Sequence, residues 1–397
     1  MNGTTSLFDI TLNHLVPVGI VMLLGLLGGK IARKIKLPKV SGYLLTGLLI
    51  GPSVLGLISN EVVKNLSLIN DIALGLIMFA IGGVFEIHHI RLVGKKVLWL
   101  TVGQSVGALL LTTLVLRVVG VNWYPAILLG SIGIATAPAA TILVIREFEA
   151  KGDFTDTMIS IVALSNIFCI LSFELVFSLG KIQQGTSIFM AILSPLYELG
   201  GSFLIGFVVG MIISKWEQYV EDQAELVLII VAGVLLVTGL ALTLNLQPLF
   251  ATLIMGAVTT NFSLMHRLAY IELRQMEQPL YIAFFVLVGA SLHIEYLPII
   301  GIAGIAFLIS RVLGKILGIY FTANWLKLSI PIKKYLGWGM IVQAGVAIGL
   351  IQIVDRSNPD LGKIVSPIIL ATVMIYETIG PPIIRYILIK SGDASSD

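Results

Sequence analysis

Arg311 and Lys315 stand four residues apart in ISRVLGKILG, inside an apolar stretch. That spacing puts both side chains on one face of a helix. A charge in the hydrocarbon core of a bilayer costs about 3 kcal/mol or more, so an intramembrane ionisable group points to function. Two neighbouring cations repel and need acceptors, either the free carbonyls of a broken helix or a carboxylate from another span. Glu174, in SNIFCILSFELVF, is the leading carboxylate, and Ser165 and Asn166 precede it by about two turns. Glu198 and Glu377 are secondary candidates, either of which could lie near an interface, and Asp71 suits a helix N-terminus. The five histidines are scattered or near loops, and Cys169 is the single cysteine. No metal-ligand cluster or nucleophile–base pair is visible, so neither an enzyme nor a cofactor is expected.

The elements that hold these groups are membrane helices. Of 397 residues, 57% are hydrophobic and 12% charged, about half the charge of a soluble domain. Apolar runs long enough to cross a bilayer recur along the chain. They predict about 13 transmembrane helices, near 14–34, 40–58, 67–85, 96–118, 123–146, 156–181, 190–214, 224–244, 247–263, 278–293, 297–323, 335–354 and 363–389. The expected class is an all-α membrane protein forming one transport domain over 1–397. The opening MNGTTSLFDITLNHL lacks the basic region of a signal peptide, so the first apolar stretch is expected to be retained. Residues 390–397 read as a short cytoplasmic tail, which leaves any regulatory subunit to a separate chain.

Most of the 25 Lys and Arg fall in alternate loops. One side holds Lys30, Arg33, Lys34, Lys36 and Lys39, then Arg91, Lys95 and Lys96, Arg146 and Lys151, Lys215, Arg267 and Arg274, Lys327, Lys333 and Lys334, and Arg385 and Lys390. The other holds Lys64, Arg117, Lys181, Arg356 and Lys363. The asymmetry predicts an outside N-terminus and a cytoplasmic C-terminus in the cell's inner (plasma) membrane. It also accounts for the net charge of +3 without a nucleic-acid partner.

The chain contains two similar halves. LGLIMFAIGGVFEI resembles YIAFFVLVGASLHI, so that Gly82 falls on Gly289, 207 residues later. At that offset Thr136-Ala137-Pro138 falls on Gln343-Ala344-Gly345, and near Gly47 and Gly256 a further pair lies 209 residues apart. The offset spans seven crossings, an odd number, which predicts two inverted-topology six-helix repeats. Repeat one covers about 14–181 and repeat two about 224–389, joined by a linking helix near 190–214. Pro138 interrupts GIATAPAAT, and glycines make breakage cheap in the matched GWGMIVQAGVAIG. Two broken helices crossing at midplane would expose backbone groups of both signs.

These segments resemble the monovalent cation:proton antiporter superfamily, in its Kef/Nap-like bacterial sodium/hydrogen exchanger branch. The likeness runs through IKLPKVSGYLLTGLLIGPSVLGLI, LGLIMFAIGG, GIATAPAATILVIRE, LFATLIMGAV, PLYIAFFVLVGASL, GKILG, GMIVQAGVAIGL and ETIGPPIIRYIL, in the family's order. It implies a homodimer, a mobile core with two crossed unwound helices, and elevator-type exchange of Na+ or K+ for H+ across the lipid bilayer. It places Thr136, Ala137 and Pro138 in the first unwound helix and Gln343 and Gly345 at the second. Arg311 or Lys315 matches the family's basic residue.

One departure bears on the activity. The family carries an aspartate-containing pair in the frame ALxD, and here the frame reads Ala163-Leu164-Ser165-Asn166. Asn can offer a cation its carbonyl oxygen but cannot titrate. Glu174 could replace the missing carboxylate, although it lies about 12 Å along the helix from Asn166. Lys315 could carry the proton instead. The substrate could also differ, or transport be uncoupled, and a non-transporting membrane sensor or subunit is a further alternative.

Overall fold

The computed structural model describes residues 15–35, 37, 39–83, 85, 87–183, 188–220, 222–263, 279–291 and 301–395. The N-terminal segment, Lys36, Arg267 and Arg274 of the charge pattern lie outside them. The principal helices are α1 (Leu15–Lys34), α2 (Lys39–Ile50), α3 (Ser67–Gly82), α4 (Ile87–Val118), α5 (Trp123–Ile132), α6 (Pro138–Glu147) and α7 (Asp153–Gln183). There follow α8 (Ile188–Trp216), α9 (Gln223–Thr243), α10 (Pro248–Phe262), α11 (Pro279–Ala290), α12 (Gly301–Trp325), α13 (Gly345–Ser357) and α14 (Pro359–Ser391).

Seven of the described helices are long and apolar enough to cross a bilayer. Large apolar side chains such as Leu110, Leu175, Leu204, Leu228 and Phe321 stand exposed on their outer faces. In water such a surface would be a liability, whereas lipid is a favourable solvent for it. The chain is therefore a multi-pass membrane protein.

Local sequence sets the breaks. The second predicted span stops at Ile50 rather than near 58, because Gly51-Pro52 turns the chain. α4 is bent at Gly94 (φ 64°, ψ −158°), a left-handed backbone that glycine adopts without strain. The fifth predicted span divides into α5 and α6, separated by residues 133–137, with Pro138 at the first position of α6. Proline is suited there because a first-turn N–H has no helical acceptor anyway. The twelfth divides into a 3-10 turn, Leu336–Met340, and α13, separated by residues 341–344.

Glycines bring the helices into backbone contact. A Cβ on Gly82 of α3 would strike the Leu253 carbonyl and Gly256 of α10. One on Gly47 of α2 would strike the Val286 carbonyl of α11, and Gly289 of α11 lies against Leu44 and Gly47. Each crossing thus joins one member of each glycine pair matched in the sequence. α4 and α12 repeat the pattern, with Gly103 against Gly318 and Gly107 against Gly314. Gly82→Val must separate α3 from α10, and overpacking of this kind costs about 1–3 kcal/mol. Thermal unfolding in detergent should show the loss, while Gly19→Val, at a position with open space around it, should not.

Candidate functional site: two broken helices crossed under two cations

The two unwound segments, 133–137 and 341–344, cross. The Ala137 amide donates to the Val342 carbonyl at 2.9 Å, and the Gln343 side-chain amide donates to the Ile132 carbonyl at 2.9 Å. Each break leaves carbonyls at the C-terminal end of one half-helix without a donor, and these ends carry partial negative charge.

Arg311 and Lys315 supply those donors from α12, and both are fully buried. The Arg311 guanidinium donates from Nε to Gly133 O at 2.9 Å, from one terminal nitrogen to Ile341 O at 2.6 Å, and from the other to Ala135 O at 2.6 Å. It therefore ties both unwound segments together. Lys315 Nζ donates to Ile134 O (2.9 Å), Ala135 O (2.8 Å) and Thr136 Oγ1 (2.7 Å), all on the first segment. A planar fork suits the bridging task, and a rotatable ammonium suits the single clasp. Tyr376 of α14 lies under Arg311, its ring centroid 4.5 Å from the guanidinium carbon.

Asn166, on α7, closes the first segment from another side. Its Oδ1 accepts from the Thr136 amide at 3.3 Å, and its Nδ2 donates to Thr136 O (2.9 Å) and Val162 O (3.0 Å). A side chain that both accepts and donates fits a residue presenting one donor and one acceptor. Ser165, its neighbour, is fully buried and donates to Val162 O of its own helix at 2.8 Å.

Thus Thr136, Ala137, Asn166, Gln343, Arg311 and Lys315 meet at one place, with Pro138 and Gly345 opening the two half-helices beyond it. Glu174 goes elsewhere. It is buried two turns away and accepts from Gln247 Nε2, at the start of α10, at 2.5 Å. Glu198 accepts from Ser194 of its own helix. Glu377 is fully buried within the protein. The carbonyls of Gly133, Ile134, Ala135 and Ile341 were beyond sequence reasoning, because every residue type presents the same backbone acceptor. A surface groove of about 480 Å³ lies between α4 and α12 with an apolar lining that includes Trp99 and Trp325. Its chemistry is that of a lipid contact.

Crossed broken helices stabilised by buried side chains, in a multi-pass helical body, define a secondary-transporter architecture. The comparisons specify the family. Residues 19–390 match the family described as sodium/hydrogen exchanger, transmembrane, and the chain belongs to it. A Na(+)/H(+) antiporter of Enterococcus hirae is 24% identical over 91% of this chain and 94% of that protein. The iron transporter MagA of Paramagnetospirillum magneticum is 31% identical over 140 residues, 35% of this chain and 31% of its own length. The fold is similar to that of the sodium proton antiporter MjNhaP1 from Methanocaldococcus jannaschii. The TM-score is 0.72 at 22% identity, with 95% of this chain and 96% of that one covered.

Proposed function

We propose that this chain exchanges a monovalent cation, Na+ or K+, for protons across the plasma membrane by elevator-type alternating access. The observation that carries the reading is the crossing at Ala137 and Val342, held by Arg311 and Lys315. A mobile body needs a rigid site, and six donors from two side chains make this one rigid. The reciprocal glycine crossings support two inverted repeats about the linking helix α8, as the odd seven-span offset requires. The chain works as a homodimer, with the N-terminus outside and the C-terminus in the cytoplasm.

The test is collapse of an imposed pH gradient in proteoliposomes on adding Na+, K+ or Li+. Cation-dependent proton movement is the expected result. No response to any of them between about pH 6 and 9 would sink the reading.

A second reading keeps the transporter but changes its cargo or uncouples it. It is favoured by Asn166, whose amide nitrogen already bonds two carbonyls. A neutral group so engaged offers no charge for H+ and Na+ to contest. Solute flux without proton movement would establish this second reading.

A further inference from the structure

The exchange reading needs a group that alternates between a proton and a cation, and Asn166 is not one. Glu377 on α14 has the required chemistry. Its side chain is fully buried, and both carboxylate oxygens lack a hydrogen-bond partner. A buried charge of this kind costs several kcal/mol unless it is paired. The group must therefore hold a proton or a counter-cation.

The surroundings add acceptors. Residue 381 is proline, so the backbone carbonyl of Glu377 loses the helical donor that would come from four residues later. Gly380, one turn along on the same face, packs against Val342 of the second unwound segment. The next residue of that segment, Gln343, has a buried Oε1 that is also without a hydrogen-bond partner. Tyr376, adjacent to Glu377 in the chain, lies under Arg311.

The position is also the counterpart of the lost one. The α4–α12 crossing sets Gly103 against Gly318 and Gly107 against Gly314. As sequence counterparts in the two halves, Gly103 matches Gly314 and Gly107 matches Gly318 at an offset of 211 residues, and the same offset carries Asn166 onto Glu377. At the offset of the unwound segments, 207 residues, Asn166 falls on Val373, one turn away.

The charges on the elements packed against α14 leave this place open. From α12 the facing charge is Arg311, already bonded to three carbonyls; Lys315, one turn on, is clasped to the first segment. On α7, Glu174 is engaged with Gln247, and Asp153 and Asp156 stand at the helix start. Lys39 opens α2, Arg146 and Glu147 close α6, Lys333 and Lys334 lie in the short helix after α12, and Asp355 lies near the end of α13. α5 and the 3-10 turn carry no charged residue.

The geometry points to Glu377 as the carboxylate that binds the proton and the monovalent cation in alternation, in the second repeat instead of the first. This assignment rests on the exchange reading. Its test therefore needs one readout that does not depend on flux.

The experiment compares full-length wild type, Glu377→Gln and Glu377→Asp. Infrared difference spectra between acid and alkaline pH report a protonated carboxylic acid directly. Expected is a carbonyl band in the wild type that is absent from Glu377→Gln, shifted in Glu377→Asp, and diminished in the wild type by Na+ or K+. In proteoliposomes, Glu377→Gln should lower cation-dependent proton movement at least tenfold, and Glu377→Asp should retain it with a displaced pH profile. A Glu377→Gln protein with wild-type proton movement and pH profile overturns the assignment. So does a pair of difference spectra with no band lost in that variant. If the wild type moves no protons with any cation, the exchange reading fails, and the infrared band alone decides whether Glu377 titrates. A misfolded Glu377→Gln leaves the decision to Glu377→Asp, where an unshifted band and pH profile would refute the assignment.

Discussion

Arg311→Met should unfold the crossing, whereas Lys315→Met should leave it folded and change what it transports. The two side chains lie one turn apart and both are fully buried, so burial alone does not separate them. Their acceptors do. Arg311 donates to Gly133, Ala135 and Ile341, and so bridges two segments that are distant in sequence. Methionine matches much of its length but supplies no donor. The carbonyls of Gly133 and Ile341 are then left buried without a strong donor, at about 1–3 kcal/mol each, while Ala135 O keeps its bond from Lys315. Removing the buried guanidinium returns part of that, because its own desolvation cost disappears. A net loss of about 3 kcal/mol is still a large share of the 5–15 kcal/mol that holds a typical domain. Lys315 touches only Ile134, Ala135 and Thr136, and Ala135 O keeps its bond from Arg311. Thermal unfolding of the purified variants should rank Arg311→Met well below Lys315→Met and wild type. Arg311→Lys should fall between, since one ammonium cannot span both segments. Equal stability of Arg311→Met and Lys315→Met would mean that the bridge does not hold the crossing.

That asymmetry shows where sequence reasoning ended. The pair at 311 and 315 was legible, because two cations in an apolar run have few explanations, and carbonyls of a broken helix were one of the two kinds of acceptor considered. The breaks were legible as well: Pro138 and the glycines ending at Gly345 mark the positions where α6 and α13 begin. Most helix limits followed from hydropathy, and Gly51-Pro52 shows how a local turn signal overrides it. Side-chain direction was not legible. Glu174 and Asn166 lie on one helix two turns apart, yet Glu174 meets Gln247 of α10 while Asn166 meets Thr136. Apolar neighbours surround both in the sequence, so periodicity could not tell the two faces apart. Ser165 was named beside Asn166 but is satisfied by its own helix. Glu377 stayed a secondary candidate because a single carboxylate in an apolar run does not show which way it faces, and α14 turns it fully into the protein.

The second large effect is expected at Asn166, where one atom decides whether the first segment can hold a cation. In the wild type Nδ2 sits between Thr136 O and Val162 O, at 2.9 and 3.0 Å. It supplies two hydrogens at a spot where a cation would otherwise be needed to reconcile the two carbonyls. Asn166→Asp replaces those donors with an acceptor-only oxygen of nearly the same shape. Three oxygens then face one another, at a cost of about 1–3 kcal/mol. A small bare cation placed among them removes the repulsion. The variant should therefore melt below the wild type in choline or other bulky-cation buffer, and should regain stability in Na+ or Li+. Binding at 100 times the dissociation constant would contribute about 2.7 kcal/mol, enough to recover the loss. The wild type should show no such recovery at this position, because its amide already occupies the place. In proteoliposomes, Asn166→Asp should add a cation-dependent proton movement to whatever the wild type performs, since a carboxylate at 166 restores a charge for which H+ and Na+ compete. A folded Asn166→Asp whose melting ignores Na+ and Li+ would show that Thr136 and Val162 do not form a latent cation site. The asparagine would then be a clasp and nothing more. If instead stability and proton movement both respond, then Ser165-Asn166 marks a site closed by a single amide, in a chain whose remaining architecture still fits exchange.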